Sequence, residues 1–232
     1  MKNNTDDGVR RILGIPVSLS GLTNANARLR AFEPENPNLL VPRTVGIGWD
    51  LNIGAIAVRL GLLRPDDSVP DLVDHIPPAT VNALRIGPLA GATAVTIAGV
   101  CVARRFDRLP TNWGVTFRPT SWGSGVAAMS FPVGLSVGAG LWAELAARRS
   151  SSAHASSSAA VTASAQALGL QVMSLALIAA AARQAQNPQS SRLLPAVGII
   201  AAPTVTTGVL VTTVRSALGR LDRRLRRNRQ AD

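Results

Sequence analysis

The stretch IGPLAGATAVTIAGVCVA, residues 86–103, lies between Arg85 and Arg104 and contains no charged side chain. A membrane-spanning helix needs roughly 20 mostly apolar residues to cross a hydrocarbon core about 30 Å thick. Three further stretches have a comparable composition: residues 122–145, 161–182 and 193–214. A water-soluble protein would have to bury all four with almost no aromatic residues. The sequence therefore predicts an all-α integral membrane protein with about four transmembrane helices.

The overall composition also favours a membrane protein. Hydrophobic residues make up 47% of the 232 residues, and charged residues only 16%. Basic and acidic side chains nearly balance in residues 1–84, so the net charge of +11 comes from the apolar part and its flanks. Such a basic excess suits the anionic surface of a bilayer. The strong preference for Arg over Lys is typical of a high-GC bacterial source.

We expect three regions along the chain. Residues 1–84 form a small, partly irregular cytoplasmic region, residues 85–214 form the four-helix transmembrane domain, and residues 215–232 form a basic cytoplasmic tail. Within the first region, local patterns predict three elements: a short edge strand at 15–19, a short helix at 24–32 and an interfacial or soluble helix within 45–63. The serine-rich residues 150–158 predict a flexible connection between the second and third transmembrane helices.

The placement of arginines predicts the orientation of the helices. Arginines are more frequent on the flanks that share a side with the two termini, which predicts a cell-membrane protein with both termini in the cytoplasm. Seven arginines lie in the tail, the first at Arg215 and the last at Arg229. We expect this tail to continue the fourth helix and to bind anionic lipid, because juxtamembrane arginine clusters contact lipid more often than nucleic acid.

Small residues recur at every fourth position within three of the stretches. This spacing lets helix backbones approach closely and pack through van der Waals contacts. Two prolines, Pro132 and Pro203, also lie inside their stretches and are expected to kink the helices. The small residues are Gly87 and Gly91, then Ser130, Gly134 and Gly138, and finally Gly198 and Ala202.

Residues that could carry out catalysis are scarce. His75 with Asp71 and Asp74 loosely resembles a metal cluster, but one His and two Asp beside a Pro-rich turn are more typical of a solvated linker. His154 has no nearby partner, and Gly46-Ile47-Gly48 lacks the third glycine of a dinucleotide motif. We therefore expect neither an enzyme nor a bound cofactor or metal. Gln166 and Gln171 are the strongest polar groups within the apolar stretches. Helix–helix hydrogen bonding is their favoured role, and ligand binding in a small-solute transporter or permease component is the alternative.

The connection after the first stretch has a distinctive pattern of Leu-Pro, Trp and Arg-Pro. It resembles the loop of a bacterial multi-pass membrane family of unknown function that includes the SdpI-type immunity proteins. In that family His usually stands where this chain has Asn112, Gly where it has Phe117, and Asp where it has Thr120. The resemblance implies a role in peptide-toxin immunity or in membrane signalling through a peptide or membrane-protein partner. The matching residues are Leu109, Pro110, Asn112, Trp113, Arg118, Pro119 and Trp122.

A second motif lies in the first region. A Val-Pro-basic element precedes Gly-x-Gly-Trp-x-Leu-Asn, and the combination is similar to a short domain of unknown function often found with that membrane domain. The resemblance supplies no reaction and no ligand. A role of residues 1–84 in recruiting a cytoplasmic partner is therefore also open. The matching residues are Val41, Pro42, Arg43, Gly46, Gly48, Trp49, Leu51 and Asn52.

Overall fold

The computed structural model describes residues 9–12, 14–18, 30, 32–43, 46–67, 69–149, 154–189 and 193–231. The predicted short helix at 24–32 lies almost entirely outside these residues. In chain order the elements are β1 (Val9–Ile12), β2 (Ile15–Ser18), β3 (Leu40–Pro42), β4 (Gly46–Ile47), β5 (Trp49–Leu51), α1 (Ile53–Arg59), α2 (Val69–Leu72), α3 (Pro78–Arg105), β6 (Leu109–Trp113), β7 (Pro119–Gly123), α4 (Gly125–Arg149), α5 (His154–Gln186) and α6 (Leu193–Ala231).

The four helices α3 to α6 are each long and apolar enough to cross a membrane. At most 44% of the residues in the most apolar window of each helix are buried within the protein. Large apolar side chains such as Ile86, Phe131 and Ile200 are about two-thirds exposed. Apolar surface of this extent is stable against lipid and not against water. The chain is an all-α, multi-pass membrane protein, as the sequence predicts.

Every helix end except the start of α6 differs from the sequence-based bounds. Helix α3 begins at Pro78, ahead of the uncharged stretch, and α4 begins only at Gly125, so Trp122 belongs to strand β7. The flexible serine-rich connection is wrong for residues 154–158, which form the first turns of α5. Its residues 150–153 lie outside the described residues. Helix α6 runs without a break from Leu193 to Ala231, which confirms that the basic tail continues the fourth helix. Which part of each helix lies in lipid stays a prediction.

One compact unit of the chain comprises Met1–Val81, Ala146–Thr162 and Leu210–Asp232. Strands β1, β2 and β4 form an antiparallel sheet in that order, and β3 pairs with β5. The strand predicted at residues 15–19 is confirmed for Ile15–Ser18, but it is the central strand and not an edge, because Val17 also pairs with Ile47. Leu19 lies outside the described residues.

The helix predicted within residues 45–63 is wrong for its first half. Strands β4 and β5 occupy that half, and only Ile53–Arg59 is α-helical. The physical reason is Gly48, whose φ of +105° is incompatible with a right-handed helix and turns the chain between the two strands. The sequence pattern alone did not reveal that β4 pairs with β2 and that β5 pairs with β3.

The second compact unit comprises Asn82–Leu145 and Ala163–Val209. Its buried cluster draws on α3, β6, α4 and α5, so the strand that follows the first transmembrane helix is part of the core. The cluster also has partly buried neighbours, including Phe106 and Trp113. Its fully buried members are Val95, Leu109, Ala128, Met129, Ile178 and Ala181.

Small residues lie at helix contacts in two of the three predicted patterns. A Cβ at Gly91 would collide with the Gln171 side chain, and a Cβ at Gly198 would lie 2.8 Å from Ala176 Cβ. In contrast, a Cβ at Gly134 or Gly138 would meet nothing within 4 Å, so these two glycines do not mark a contact. Pro132 and Pro203 lie inside α4 and α6, and Pro88 lies inside α3.

Candidate functional site

The segment between α3 and α4 is a β-hairpin that holds all seven residues of the first motif. Leu109 pairs with Gly123, Pro110 with Trp122 and Trp113 with Pro119. The register shifts on both sides of Asn112, which leaves Thr111 as an extra residue in β6 and Thr120 as an extra residue in β7. Such a bulge bends a strand and re-aims its side chains. The connection that carries the first motif is thus an ordered hairpin.

Leu109 anchors the base of the hairpin. Its side chain is fully buried among Val95, Met129 and Ile178, which belong to three different helices. Pro110 is buried beside it, and Trp113 packs partly buried against the same cluster. Burial of a leucine side chain contributes about 1.5–3 kcal/mol. The hairpin is therefore held by the helix core and not by its own strand pairing alone.

A small polar layer joins the two strands above this base. Ser121 Oγ lies 2.7 Å from Thr111 Oγ1, and Asn112 Nδ2 donates a hydrogen bond to Ser121 Oγ at 2.9 Å. Asn112 is the position at which the similar family usually has His. Here its exposed side chain cross-links the hairpin. The sequence alone did not single out Thr111 and Ser121, because only the folded hairpin brings their hydroxyls into contact.

The tip of the hairpin is a five-residue turn. The Gly114 N–H donates to the Arg118 carbonyl at 2.8 Å, and the Phe117 N–H donates to the Gly114 carbonyl at 2.9 Å. Phe117 adopts a φ of 55°, a region that non-glycine residues seldom occupy. Val115 is 99% exposed, and Arg118 is also exposed. The turn presents an apolar and a cationic side chain away from the core.

A cavity of about 380 Å³ lies where β6 meets α4 and α5. Its volume is within the range of small-ligand sites. The walls are mainly apolar, with Thr111 and Asn112 as the polar groups on the hairpin side. Phe131 is 66% exposed, so the aromatic wall reaches the surface of the unit. The apolar walls include Trp113, Met129, Phe131, Pro132, Leu177 and Ala181.

The second motif is built around Asn52, which is fully buried. Its Oδ1 accepts hydrogen bonds from the Glu33 N–H at 3.0 Å and from the Ala55 N–H at 3.3 Å. Its Nδ2 donates to the carbonyls of Glu33 and Asn36 at 2.9 and 3.0 Å. Asn52 thus caps the N-terminus of α1 and at the same time fixes the loop before β3. All of this hydrogen-bonding capacity is used structurally.

The remaining residues of the second motif surround this centre. Val41 is buried on β3, Pro42 pairs with Trp49, and Arg43 Nε lies 3.0 Å from Asp50 Oδ1. Gly46 lies on β4. The Gly48 N–H donates to the Pro16 carbonyl at 2.8 Å, which links β2 to the connection between β4 and β5. Trp49 and Leu51 are 43% and 53% exposed.

Gly54, which is not part of the sequence motif, packs closely against the loop before β3. A Cβ at Gly54 would lie 2.6 Å from the Pro34 nitrogen and 2.7 Å from the Glu33 carbonyl carbon. Only glycine permits this approach of the loop to the helix. The second motif therefore forms one structural piece that extends back to Glu33.

The polar groups of the transmembrane helices are arranged for packing. Gln171 is 3% exposed, and its Nε2 donates to the Pro88 carbonyl at 2.6 Å, whereas Gln166 is exposed. Glu144 Oε1 lies 4.0 Å from Arg85 Nη2. Within the described residues, no three His, Cys, Asp or Glu side chains are grouped so that they could hold a metal ion. His75 is described, whereas the side chain of His154 lies outside the described residues.

Comparison with known proteins gives one match. Residues 34–59 match a family of unknown function, DUF5808. The matched segment extends from the loop that Asn52 holds to the last residue of α1, so it coincides with the structural piece around the second motif. It agrees with the expectation that this segment belongs to a family of unknown function. No curated protein and no solved structure matches the chain.

Proposed function

We propose that this protein is a non-enzymatic bacterial membrane protein that binds a peptide or a membrane-protein partner through the hairpin and the cavity beside it. Peptide-toxin immunity or membrane signalling of the SdpI-type family would be its biological role. The observation that carries the proposal is the cavity of about 380 Å³ between β6, α4 and α5. Its apolar walls would accept an apolar side chain of the partner, and Asn112 and Thr111 would accept polar contacts at its rim.

Two further features support binding over catalysis. The motif residues Leu109 and Trp113 hold the hairpin on the helix core, so the surface is preorganised and loses little freedom on binding. The polar groups near the cavity are amides and hydroxyls, which form hydrogen bonds but do not titrate near neutral pH. With both termini in the cytoplasm, the hairpin would face the outside of the cell membrane.

The basic end of α6 fits a lipid-binding role within the same proposal. Arg215 and the arginines from Arg223 to Arg229 are exposed, and Asp222 is paired with Arg226 at 3.0 Å. We expect this end of the helix to bind anionic phospholipid, with about 1 kcal/mol for each arginine near the surface. This contact would fix the helix end at the cytoplasmic face.

The transporter alternative depends on Gln166 and Gln171 acting on a solute. Gln171 already donates to the Pro88 carbonyl, and a Cβ at Gly91 would collide with its side chain. Gln166 is exposed on the same helix. These contacts support a packing role for Gln171, so we do not propose transport.

A test of the proposed role begins with deletion of the gene and challenge of the cells with a panel of membrane-active peptides. The deletion strain should become more sensitive to at least one peptide. Leu177→Trp, which fills the cavity, should fail to restore resistance, whereas Leu175→Trp on an exposed face of the same helix should restore it. Both variants must reach the membrane in wild-type amounts, as measured by immunoblotting.

Two outcomes would contradict the proposal. Unchanged sensitivity across the panel would exclude immunity, and failure of photo-cross-linkers at the cavity to capture any peptide or membrane protein would exclude binding there. Full restoration of resistance by Leu177→Trp would show that the cavity is not the recognition site.

A further inference from the structure

One face of the sheet formed by β1, β2 and β4 exposes three isoleucines. Ile12, Ile15 and Ile47 are 61%, 47% and 66% exposed. Ile12 pairs with Ile15, and Val17 pairs with Ile47, so all four side chains lie on the same face. On the opposite face, Pro16 and Ser18 are buried. An apolar sheet face of this kind normally has a partner.

The charges around this face favour an anionic partner. Arg10 pairs with Val17 and therefore lies on the isoleucine face, where it is exposed. Arg11 pairs with Pro16 and therefore lies on the opposite face, where its guanidinium is 5.9 Å from the centre of the Trp49 ring. Residues 9–18 contain these two arginines and no carboxylate. Exposed apolar side chains beside an arginine are typical of surfaces that lie in the interface of an anionic bilayer.

The same compact unit is tethered to the membrane through one end of each of the four long helices. It contains the first residues of α3 and α5 and the last turns of α4 and α6, and all four helices are long and apolar enough to span a membrane. Within the unit, Arg220 Nη1 donates to the Ile76 carbonyl at 2.8 Å and joins the end of α6 to the segment before α3. A bilayer is therefore available to the sheet at a high effective concentration, unlike any partner that must diffuse to it.

We propose that the isoleucine face, formed by Ile12, Ile15, Ile47 and Arg10, lies on the surface of the bilayer that the four helices span. The isoleucine side chains enter the boundary between headgroups and acyl chains, and Arg10 binds anionic headgroups. This surface is separate from the hairpin and its cavity, and the proposal does not depend on the peptide-binding role.

The test uses full-length protein in lipid nanodiscs that hold one copy each. Cys101→Ser removes the native cysteine, and Ile47→Cys, at an exposed position, carries an environment-sensitive fluorophore. Glu35→Cys, an exposed site in the same unit, carries the same label as a matched control. A phospholipid with a nitroxide near the top of its acyl chain serves as the quencher.

In nanodiscs with anionic lipid, the label at position 47 should be quenched at least about twofold more than the label at position 35. Arg10→Glu should reduce this difference in anionic nanodiscs, because it replaces attraction to the headgroups with repulsion. Equal quenching at the two positions would overturn the proposal. A second outcome would also overturn it: weak quenching at position 47 in single-copy nanodiscs, with disulfide cross-linking of the unlabelled Ile47→Cys variant in vesicles. That outcome would identify the isoleucine face as a contact between two chains.

Discussion

Two buried amides, Asn52 and Gln171, show how differently the two compact units are stabilised. The Asn52 side chain makes four hydrogen bonds to backbone groups and is fully buried. The Gln171 side chain is nearly as buried, yet it makes one hydrogen bond, to the Pro88 carbonyl, and its Oε1 has no partner among the described residues. The Asn52 amide therefore satisfies several backbone groups of its unit, whereas the Gln171 amide makes a single contact between two helices.

The difference follows from the backbone that each amide contacts. The loop at Glu33 and Asn36 is irregular, so its backbone groups need a partner and Asn52 supplies it. In the helices around Gln171, the backbone satisfies its own hydrogen bonds, and Gly91 lets the Gln171 side chain pack closely against α3. The hydrogen bonds of Asn52 are thus needed to hold the loop of the first unit, whereas the hydrogen bond of Gln171 adds to packing that the helices of the second unit already have.

The largest effect should come from Asn52→Ala. The substitution removes the helix cap and takes the hydrogen-bond partner from backbone groups of Glu33, Asn36 and Ala55, which should cost about 3 kcal/mol. Hydrogen–deuterium exchange of residues 34–59 in the full-length protein measures the loss of protection. Asn38→Ala, at an exposed position of the same loop, should leave exchange unchanged. Equal protection of residues 34–59 from exchange in Asn52→Ala and Asn38→Ala would show that Asn52 does not hold the first unit together.

Glycines at helix contacts should produce the next largest effect. A Cβ at Gly99 would lie 2.5 Å from Val133 Cγ2, whereas one at Gly138 would meet nothing within 4 Å. Gly99→Leu should therefore destabilise the detergent-solubilised protein by about 1–3 kcal/mol, while Gly138→Leu should stay within about 0.5 kcal/mol. Thermal unfolding of both variants in the same detergent provides the measurement. A larger loss for Gly138→Leu would mean that its open face has a partner of its own.

The smallest of the three effects should come from Gln171→Leu. Loss of the hydrogen bond to Pro88 should lower stability by about 1 kcal/mol, the usual size for such a bond in a membrane. Gln166→Leu, on the exposed side of α5, should not change the unfolding temperature. Uptake of small solutes by vesicles should be the same for both variants and for the parent protein. A solute flux abolished by Gln171→Leu would instead favour the transporter alternative.

The transmembrane helices were predictable because their signal is local. Residues 86–103 lack any charge, and a chain segment of that length and polarity is helical in lipid wherever the rest of the protein lies. Their ends were less predictable. Trp122 was placed in the second helix on hydrophobicity alone, but the pairing of β7 with β6 keeps it in the hairpin. Strand pairing depends on residues that are distant in sequence, and no local pattern reports it.

The candidate site was predictable only in part, for the same reason. The motif residues Leu109 and Trp113 do lie together on the hairpin, but the cavity walls Met129 and Leu177 come from helices whose apolar residues all look alike in the sequence. Nothing in their spacing distinguishes a cavity wall from a lipid-facing position. In the second motif, Asn52 was visible as part of a pattern, whereas its partners at Glu33 and Asn36 were not.

The sequence by itself determined that this chain spans a membrane with four helices, because charge-free stretches of sufficient length have only one stable arrangement in lipid. The tertiary structure alone decided that the connection between α3 and α4 is a hairpin and that a cavity forms beside it. It also decided that Asn52 binds backbone groups 16 and 19 residues away in the sequence. These features arise from long-range packing and hydrogen bonding, whose geometry exists only when distant segments meet.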